Sequence, residues 1–279
     1  MSAQTCCPTV KLEKLLVTTD GSEYSEGAVR EAIGLSKTCS SKLTVVSVIE
    51  ANQEYEALAP DLVEKAELET KKLLESVKEK AKAEGVDCET VVHEGEDPYL
   101  FIVEEAAKRQ SEMIIMGRRG RTGIKRLMMG STTAKVIGHA PCKVLVVPKA
   151  AKVEYRNILI ATDGSKFSEA AALEAIGIAK KCGSSVATVC AVGSEVLMEL
   201  ARKNVDRVKE LAGKEGVSVE TLTVTGRPDE AIVATAAKRK ADLIVVGSHG
   251  RTGLKRLLMG SVTERVVGHA DCAVLVVGA

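Results

Sequence analysis

The sequence predicts an α/β protein built from two tandem copies of one doubly wound, parallel-sheet domain. One reason is that short apolar runs of strand length alternate with amphipathic segments of helix length, the pattern that produces parallel strands with helical crossovers. Another is that 279 residues leave room for two domains of ordinary size. The third is internal repetition. Leu15-Leu-Val-Thr-Thr-Asp-Gly-Ser22 recurs as Ile158-Leu-Ile-Ala-Thr-Asp-Gly-Ser165, an offset of 143 residues. The same offset carries Glu31–Gly34 onto Glu174–Gly177 and Cys39 onto Cys182. Gly117–Ser131 recurs as Gly247–Ser261 at an offset of 130, differing only at positions 118, 119, 124 and 128. Copy one covers residues 1–150 and copy two 151–279, with Lys149-Ala-Ala-Lys152 as a short join. Copy one is the longer. Most of its excess lies between Glu50 and Val77, around Gln53–Asp61, and the segment around Tyr55–Asp61 is expected to act as a lid or a dimer contact.

In copy one, Leu15–Thr19 is short, apolar and β-branched, as a strand buried on both faces should be. Ser22 is placed to cap a helix in which Ala28, Ala32 and Leu35 share one face. Leu43–Ile49 reads as a second buried strand. A long helix follows over Leu62–Ala83, with Ala66, Leu73, Leu74, Val77 and Ala81 on one stripe and Gly85 ending it. Glu89–His93 is a third strand. Asp97-Pro98 opens the next helix, a capping carboxylate followed by a proline at the first helical position. Met113–Met116 is a fourth strand, Gly117–Gly130 a loop, Ser131–Gly138 a helix and Val144–Val147 a fifth strand.

Composition removes several function classes. Lys and Arg total 39 against 38 Asp and Glu, so no global field favours nucleic acid or an anionic membrane. Two Phe, four Tyr and no Trp are too few for a base-stacking platform. No apolar run reaches the roughly 18 residues of a spanning helix, and the opening MSAQTCCPTVKLEK lacks the apolar core of a secretory signal. A cytoplasmic protein is expected, with no membrane and no nucleic acid among its partners. Eight cysteines are dilute in a chain this long and form no CxxC pair. They are expected to be reduced, with Cys39, Cys142, Cys182, Cys190 and Cys272 serving as small buried hydrophobes. The four histidines are scattered and no metal site is expected. His139 and His269 fit helix C-termini, where the dipole suits a cation.

Parallel sheets bind ligands beyond the carboxyl ends of their strands. Each copy places there an acid followed by Gly-Ser (Asp20, Asp163) and a glycine-rich loop. Gly117 and Gly120 allow close approach of backbone to a ligand, with φ values that other residues avoid. Gly130-Ser131 leads into a helix whose free N–H groups favour an anion. Arg118, Arg119, Arg121, Lys125 and Arg126 add positive charge in copy one, and His249, Arg251, Lys255 and Arg256 in copy two. Phosphate binding is one reading. The bland alternative is that Ser131 and Asp20 only cap helices, the glycines turn a tight corner, and the basic residues form a solvated face or meet an acidic partner. Neither GxxxxGK[ST] nor a GxGxxG after the first strand occurs.

Asp-Gly-Ser after the first strand, with G-x2-G-x9-G-[ST] after the fourth, resembles the ATP-binding group of the universal stress protein family. Gly117, Gly120, Gly130 and Ser131 match in copy one, and Gly247, Gly250, Gly260 and Ser261 in copy two. The resemblance implies two tandem Rossmann-like domains of the adenine nucleotide alpha hydrolase type, each a five-stranded parallel sheet of order 3-2-1-4-5. It implies ATP or AMP as ligand, with Mg²⁺ able to accompany ATP. Asp20 and Asp163 would then contact the adenosine. The loop glycines with Ser131 and Thr132, or Ser261 and Val262, would hold ribose and phosphates beside Arg121 or Arg251. Val48 would sit by the adenine, and Ala191 at the corresponding place in copy two. Family members pair through their fifth strands, so Val144–Val147 and Val274–Val277 could pair within one chain as an internal pseudo-dimer, and chains could form a homodimer. The function implied is stress-linked nucleotide sensing or signalling. A slow ATPase or adenylate-transferring enzyme is the alternative, disfavoured because no carboxylate lies between Gly117 and Ser131 or between Gly247 and Ser261.

Overall fold

The computed structural model describes residues 6–8, 12–51, 60–120, 129–251 and 259–278. The first repeat runs β1 (Lys14–Thr18), α1 (Glu26–Cys39), β2 (Lys42–Ile49), α2 (Pro60–Ala83), β3 (Cys88–Glu94), α3 (Pro98–Arg109), β4 (Met113–Gly117), α4 (Ser131–His139) and β5 (Lys143–Val147). The second runs β6 (Asn157–Ala161), α5 (Lys166–Cys182), β7 (Ser185–Val192), a single 3₁₀ turn at Glu195–Leu197, α6 (Met198–Lys214), β8 (Val219–Thr225), α7 (Pro228–Arg239), β9 (Leu243–Gly247), α8 (Ser261–His269) and β10 (Ala273–Val277).

Each repeat carries the strand order implied by the family resemblance, and the two halves fuse into one ten-stranded sheet, β3-β2-β1-β4-β5-β10-β9-β6-β7-β8. Every pairing within a repeat is parallel, as between β1 and β4. The join is antiparallel, with Val144 opposite Val276, Leu145 opposite Leu275 and Val146 opposite Val274. The fifth strands therefore meet inside one chain, and the carboxyl ends of the two repeats point in opposite directions.

The continuous apolar runs follow from helices on both faces of the sheet. Leu15 and Val17 point into one core, with Met113, Ile115, Leu145 and Val147. Leu16, between them, points into the other, with Ile114, Met116, Val144 and Val146. Ala28 and Ala32 of α1, Leu74 and Val77 of α2, Ala171 and Ala175 of α5 and Val208 of α6 cover the first face. Ile102 of α3, Val136 of α4, Ile232 of α7 and Val266 of α8 cover the second. Both cores cross the repeat boundary, so the sheet and its two layers are shared.

Three local expectations are corrected. Ser22 does not cap α1. That helix starts at Glu26 with Ser25 in the N-cap position, and the Ser22 hydroxyl is donated to Asp20. Asp97 holds the N-cap position of α3 without a side-chain cap bond, because its carboxylate takes Lys135 Nζ at 2.9 Å. Not all the cysteines are reduced: Cys6 is bonded to Cys182 and Cys7 to Cys39. His139 and His269 do end their helices, each with Nδ1 at a carbonyl one turn back, Lys135 O at 2.8 Å and Arg265 O at 2.7 Å. No described helix is long and apolar enough to cross a membrane.

Candidate functional site

The first wall of the site is the turn leaving β1. Asp20 Oδ1 accepts from Ser22 N at 3.0 Å and from Ser22 Oγ at 2.7 Å, a side-chain turn that pins the carboxylate at the strand end. Between them Gly21 has φ 77°, a left-handed conformation that costs glycine little and other residues more. Below, Thr19 and Ser25 share a buried hydroxyl pair at 2.9 Å. The second repeat rebuilds the turn: Asp163 Oδ1 accepts from Ser165 N at 3.0 Å, and Gly164 has φ 80°. There Ser165 does cap its helix, accepting from Ser168 N at 3.2 Å.

The second wall is the loop after β4. Gly130 N donates to Arg118 O at 2.9 Å and Thr133 Oγ1 to Gly117 O at 3.1 Å. Gly260 and Thr263 repeat both bonds, to Ser248 O at 2.9 Å and Gly247 O at 2.8 Å. Gly130 and Gly260 occupy the N-caps of α4 and α8, with Ser131 and Ser261 as first helical residues. The reason for the glycines differs from the sequence expectation. None of Gly117, Gly120, Gly130, Gly247, Gly250 and Gly260 is left-handed, whereas Gly21 and Gly164 in the turns after β1 and β6 are. What the loop glycines supply is room. A Cβ at position 120 would lie 2.8 Å from Asp20 Oδ2, and one at 250 would lie 2.8 Å from Asp163 Oδ2. The loop thus rests on the acid, and the two walls are one unit.

In the first repeat these walls enclose a cleft of about 340 Å³ at the carboxyl ends of β1, β2 and β4. Asp20, Val48, Gly117, Gly120, Gly130, Ser131 and Thr132 all line it. Its mixture of apolar wall, carboxylates at the strand ends and a helix start suits an amphipathic anion whose charge lies at the helix. Ser47, Glu50, Thr70 and Ile102 also line it and were not singled out from sequence. Thr70 carried a readable signal: it is the polar member of the Ala66, Leu74, Val77, Ala81 stripe, and it is buried. Arg121, Lys125, Arg126, Lys255 and Arg256 lie outside the described residues, as do residues 52–59 of the longer segment. Arg118 is a correction to the basic-loop reading. It is half-buried and crosses to the second repeat, where Nη1 donates to Ala270 O at 2.8 Å. Its burial, together with neighbouring Arg119, lowers its pKa.

The second repeat is differently furnished. Arg251 N donates to Asp163 Oδ2 at 2.9 Å and Arg251 Nε to Asp163 O at 2.7 Å, so this arginine binds the acid of its own site. Burial works to raise the Asp163 carboxyl, but hydrogen bonds from Ser165, Ser168 and Arg251 outweigh it and hold the group below the usual range. Ala191 lies half-buried near the end of β7, paired with Val224, and Val262 packs against the second core from the first turn of α8. Beside them, Cys190 forms a small buried cluster with Ala201 and Val205 of α6. Asn204 donates to Cys190 Sγ at 3.6 Å and rests directly against Gly164. In the first repeat Gly21 instead opens on a groove between α1 and α2, of about 780 Å³, lined by Leu73 and Val77.

Comparison with known proteins bears on the family and the fold. The profile of the universal stress protein family matches residues 11–148 and again 154–278. A universal stress protein of Methanocaldococcus jannaschii is 42% identical over 139 residues, 44% of this chain and 82% of that protein. A putative universal stress protein of Staphylococcus aureus is 32% identical over 141 residues, 50% of this chain and 85% of its own. Among solved structures, a universal stress protein from Archaeoglobus fulgidus superposes with a TM-score of 0.79 at 23% identity, covering 96% of this chain and 99% of that one, a likeness of fold.

Proposed function

Because this chain belongs to the universal stress protein family, we propose that it binds an adenine nucleotide, ATP or AMP, and serves stress sensing or signalling rather than efficient catalysis. The observation that carries the reading is the first-repeat cleft, where seven residues chosen from sequence line one cavity. Its dimensions suit a nucleoside whose base lies against Val48 and whose phosphates reach Gly130-Ser131 at the start of α4. Asp20, held by Ser22, would accept from the ribose hydroxyls or the base. ATP would bring Mg²⁺ with its phosphates.

The placement of charge favours binding over turnover. Among the described residues the acids lining the cleft are Asp20 and Glu50, at the ends of β1 and β2 rather than beside Ser131. A hydrolase would need a carboxylate or equivalent base to orient water at the terminal phosphate. The two repeats are unequal in this reading. The first is the principal site, and the second is weaker because Asn204 packs against Gly164 and against Cys190, the counterpart of Ser47 in the first-repeat cleft. The chain would work in the cytoplasm, where adenine nucleotides are made and consumed, and copies of it would associate as a homodimer through a face other than the β5–β10 join.

Calorimetric titration of nucleotide-stripped protein tests the proposal. It predicts saturable heat with ATP or AMP and a first equivalent tighter than any second. No heat with either nucleotide at millimolar concentration rejects it. Phosphate release from ATP at a rate that disappears in Gly120→Val would favour the ATPase alternative.

A further inference from the structure

The eight cysteines divide into two sets of four. Cys88, Cys142, Cys190 and Cys272 are thiols in or beside strands. Burial pushes Cys88 and Cys142 up to about 11 and Cys272 to about 12, and raises Cys190 as well, which makes them poor nucleophiles near neutral pH. The other four are bonded, Cys6 to Cys182 and Cys7 to Cys39. Cys39 is the last residue of α1 and Cys182 the last of α5, and the two positions are equivalent in the repeat. Adjacent cysteines on one tail therefore take hold of the same helix end in both halves of the molecule. All four are half-buried, so solvent reaches the clasp.

We propose that Cys6, Cys7, Cys39 and Cys182 form a reversible redox site, a double clasp closed by a hydroperoxide and opened by a low-molecular-weight thiol. The chemistry balances bond by bond. One cysteine sulfur attacks hydrogen peroxide, the O–O bond breaks, and a sulfenic acid and one water result. Its partner thiol attacks that sulfur, the S–O bond breaks, the disulfide forms and a second water leaves. One peroxide is reduced for each disulfide made, so two close the clasp. Opening consumes two thiols per bond, which leave as their own disulfide, and returns both cysteines to the thiol form.

The topology says what closure does. Cys7–Cys39 encloses a separation of 32 residues within the first repeat, whereas Cys6–Cys182 spans 176 and crosses the repeat boundary. A cross-link over a long span restricts the unfolded chain most. Oxidation thus fastens the two repeats to each other covalently, in addition to the β5–β10 join. Reduction leaves them held by the β5–β10 pairing, the shared cores and the chain link at Lys149–Lys152.

The test starts from fully reduced, full-length chain, treated with two equivalents of hydrogen peroxide, alkylated and digested for mass spectrometry. The expected result is two cross-links, 6–182 and 7–39, with the other four cysteines alkylated. Glutathione added to the oxidised chain before alkylation should leave all eight alkylatable. Oxidation should raise Tm by about 10 °C, and Cys182→Ser should keep only the smaller part of that rise. Cys88→Ser, outside the clasp, should leave both cross-links intact. The proposal is overturned if all eight remain alkylatable after peroxide, if Cys6 bonds to Cys7 or to one of the other four, or if the bonds resist glutathione as permanent staples would.

Discussion

Replacing Gly120 by alanine puts one methyl group where the site has no space. The added carbon would stand 2.8 Å from Asp20 Oδ2, against ordinary contact at about 3.5 Å, so one side must withdraw by roughly 0.7 Å. Asp20 is poorly able to do so, since Ser22 N and Oγ hold its other oxygen at 3.0 and 2.7 Å. Overpacking of this kind costs about 1–3 kcal/mol. If that cost falls on the bound state, nucleotide affinity drops about 5- to 150-fold, and Gly120→Val drops it further. The assay is equilibrium dialysis with labelled ATP, on variants shown by circular dichroism to be folded. Gly213→Ala is the control, because a Cβ there meets nothing within 4 Å; its affinity should match the parent protein. Binding by Gly120→Ala within twofold of the parent would show that loop and acid are not the unit described above.

Other consequences are independent of that one. The Asp163 carboxyl has a lowered pKa in the folded chain, so its stabilisation is present above about pH 4, the unfolded value, and is lost as pH falls through the folded one. Asp163→Asn should therefore flatten the acid limb of a stability-versus-pH curve below about pH 4, and an unchanged limb would contradict the bonding described. Asn204→Ala should free the space beside Gly164 and raise the number of nucleotides bound per chain in calorimetry; unchanged stoichiometry would remove Asn204 as the obstruction. Arg118→Ala should cost about 1.5–3 kcal/mol in urea unfolding through the lost bond to Ala270 O, with nucleotide affinity unaltered. A large fall in affinity would return Arg118 to the phosphate site. Leu145→Ala, at a side chain only 2% exposed opposite Leu275, should cost about 2–5 kcal/mol.

Much of this architecture was legible because its causes are local or repeated. Runs such as Met113–Met116 are apolar without alternation because both sheet faces are covered, and that alone identifies buried parallel strands. The matching valines of 144–147 and 274–277 supplied the central pairing once the family resemblance supplied the strand order. Asp20 and the glycine loop stood out because the two copies keep them in step, whereas Val48, replaced by Ala191 in the second copy, came only with the family resemblance. What escaped depends on distance across the fold. Nothing near Arg118 in sequence says that Ala270 O will receive it. No spacing rule joins Cys6 to Cys182 over 176 residues. The helix starting at Glu26 rather than just after Ser22 reflects a competition within one turn: Asp20 captured the serine hydroxyl before the helix could. The unusual φ expected at Gly117 and Gly120 is not found; Gly120 instead leaves room for Asp20, and side-chain proximity, unlike turn chemistry, leaves no local mark.

The central claim is that the cleft between the ends of β1, β2 and β4 is an adenine-nucleotide site. The most direct measurement is a crystal structure of the full chain grown with saturating ATP. Nucleotide density is expected in the first repeat, with the base against Val48, the ribose near Asp20 and the phosphates at Gly130-Ser131. Density only in the second repeat or on another surface, or an empty cleft at millimolar ATP, would contradict it.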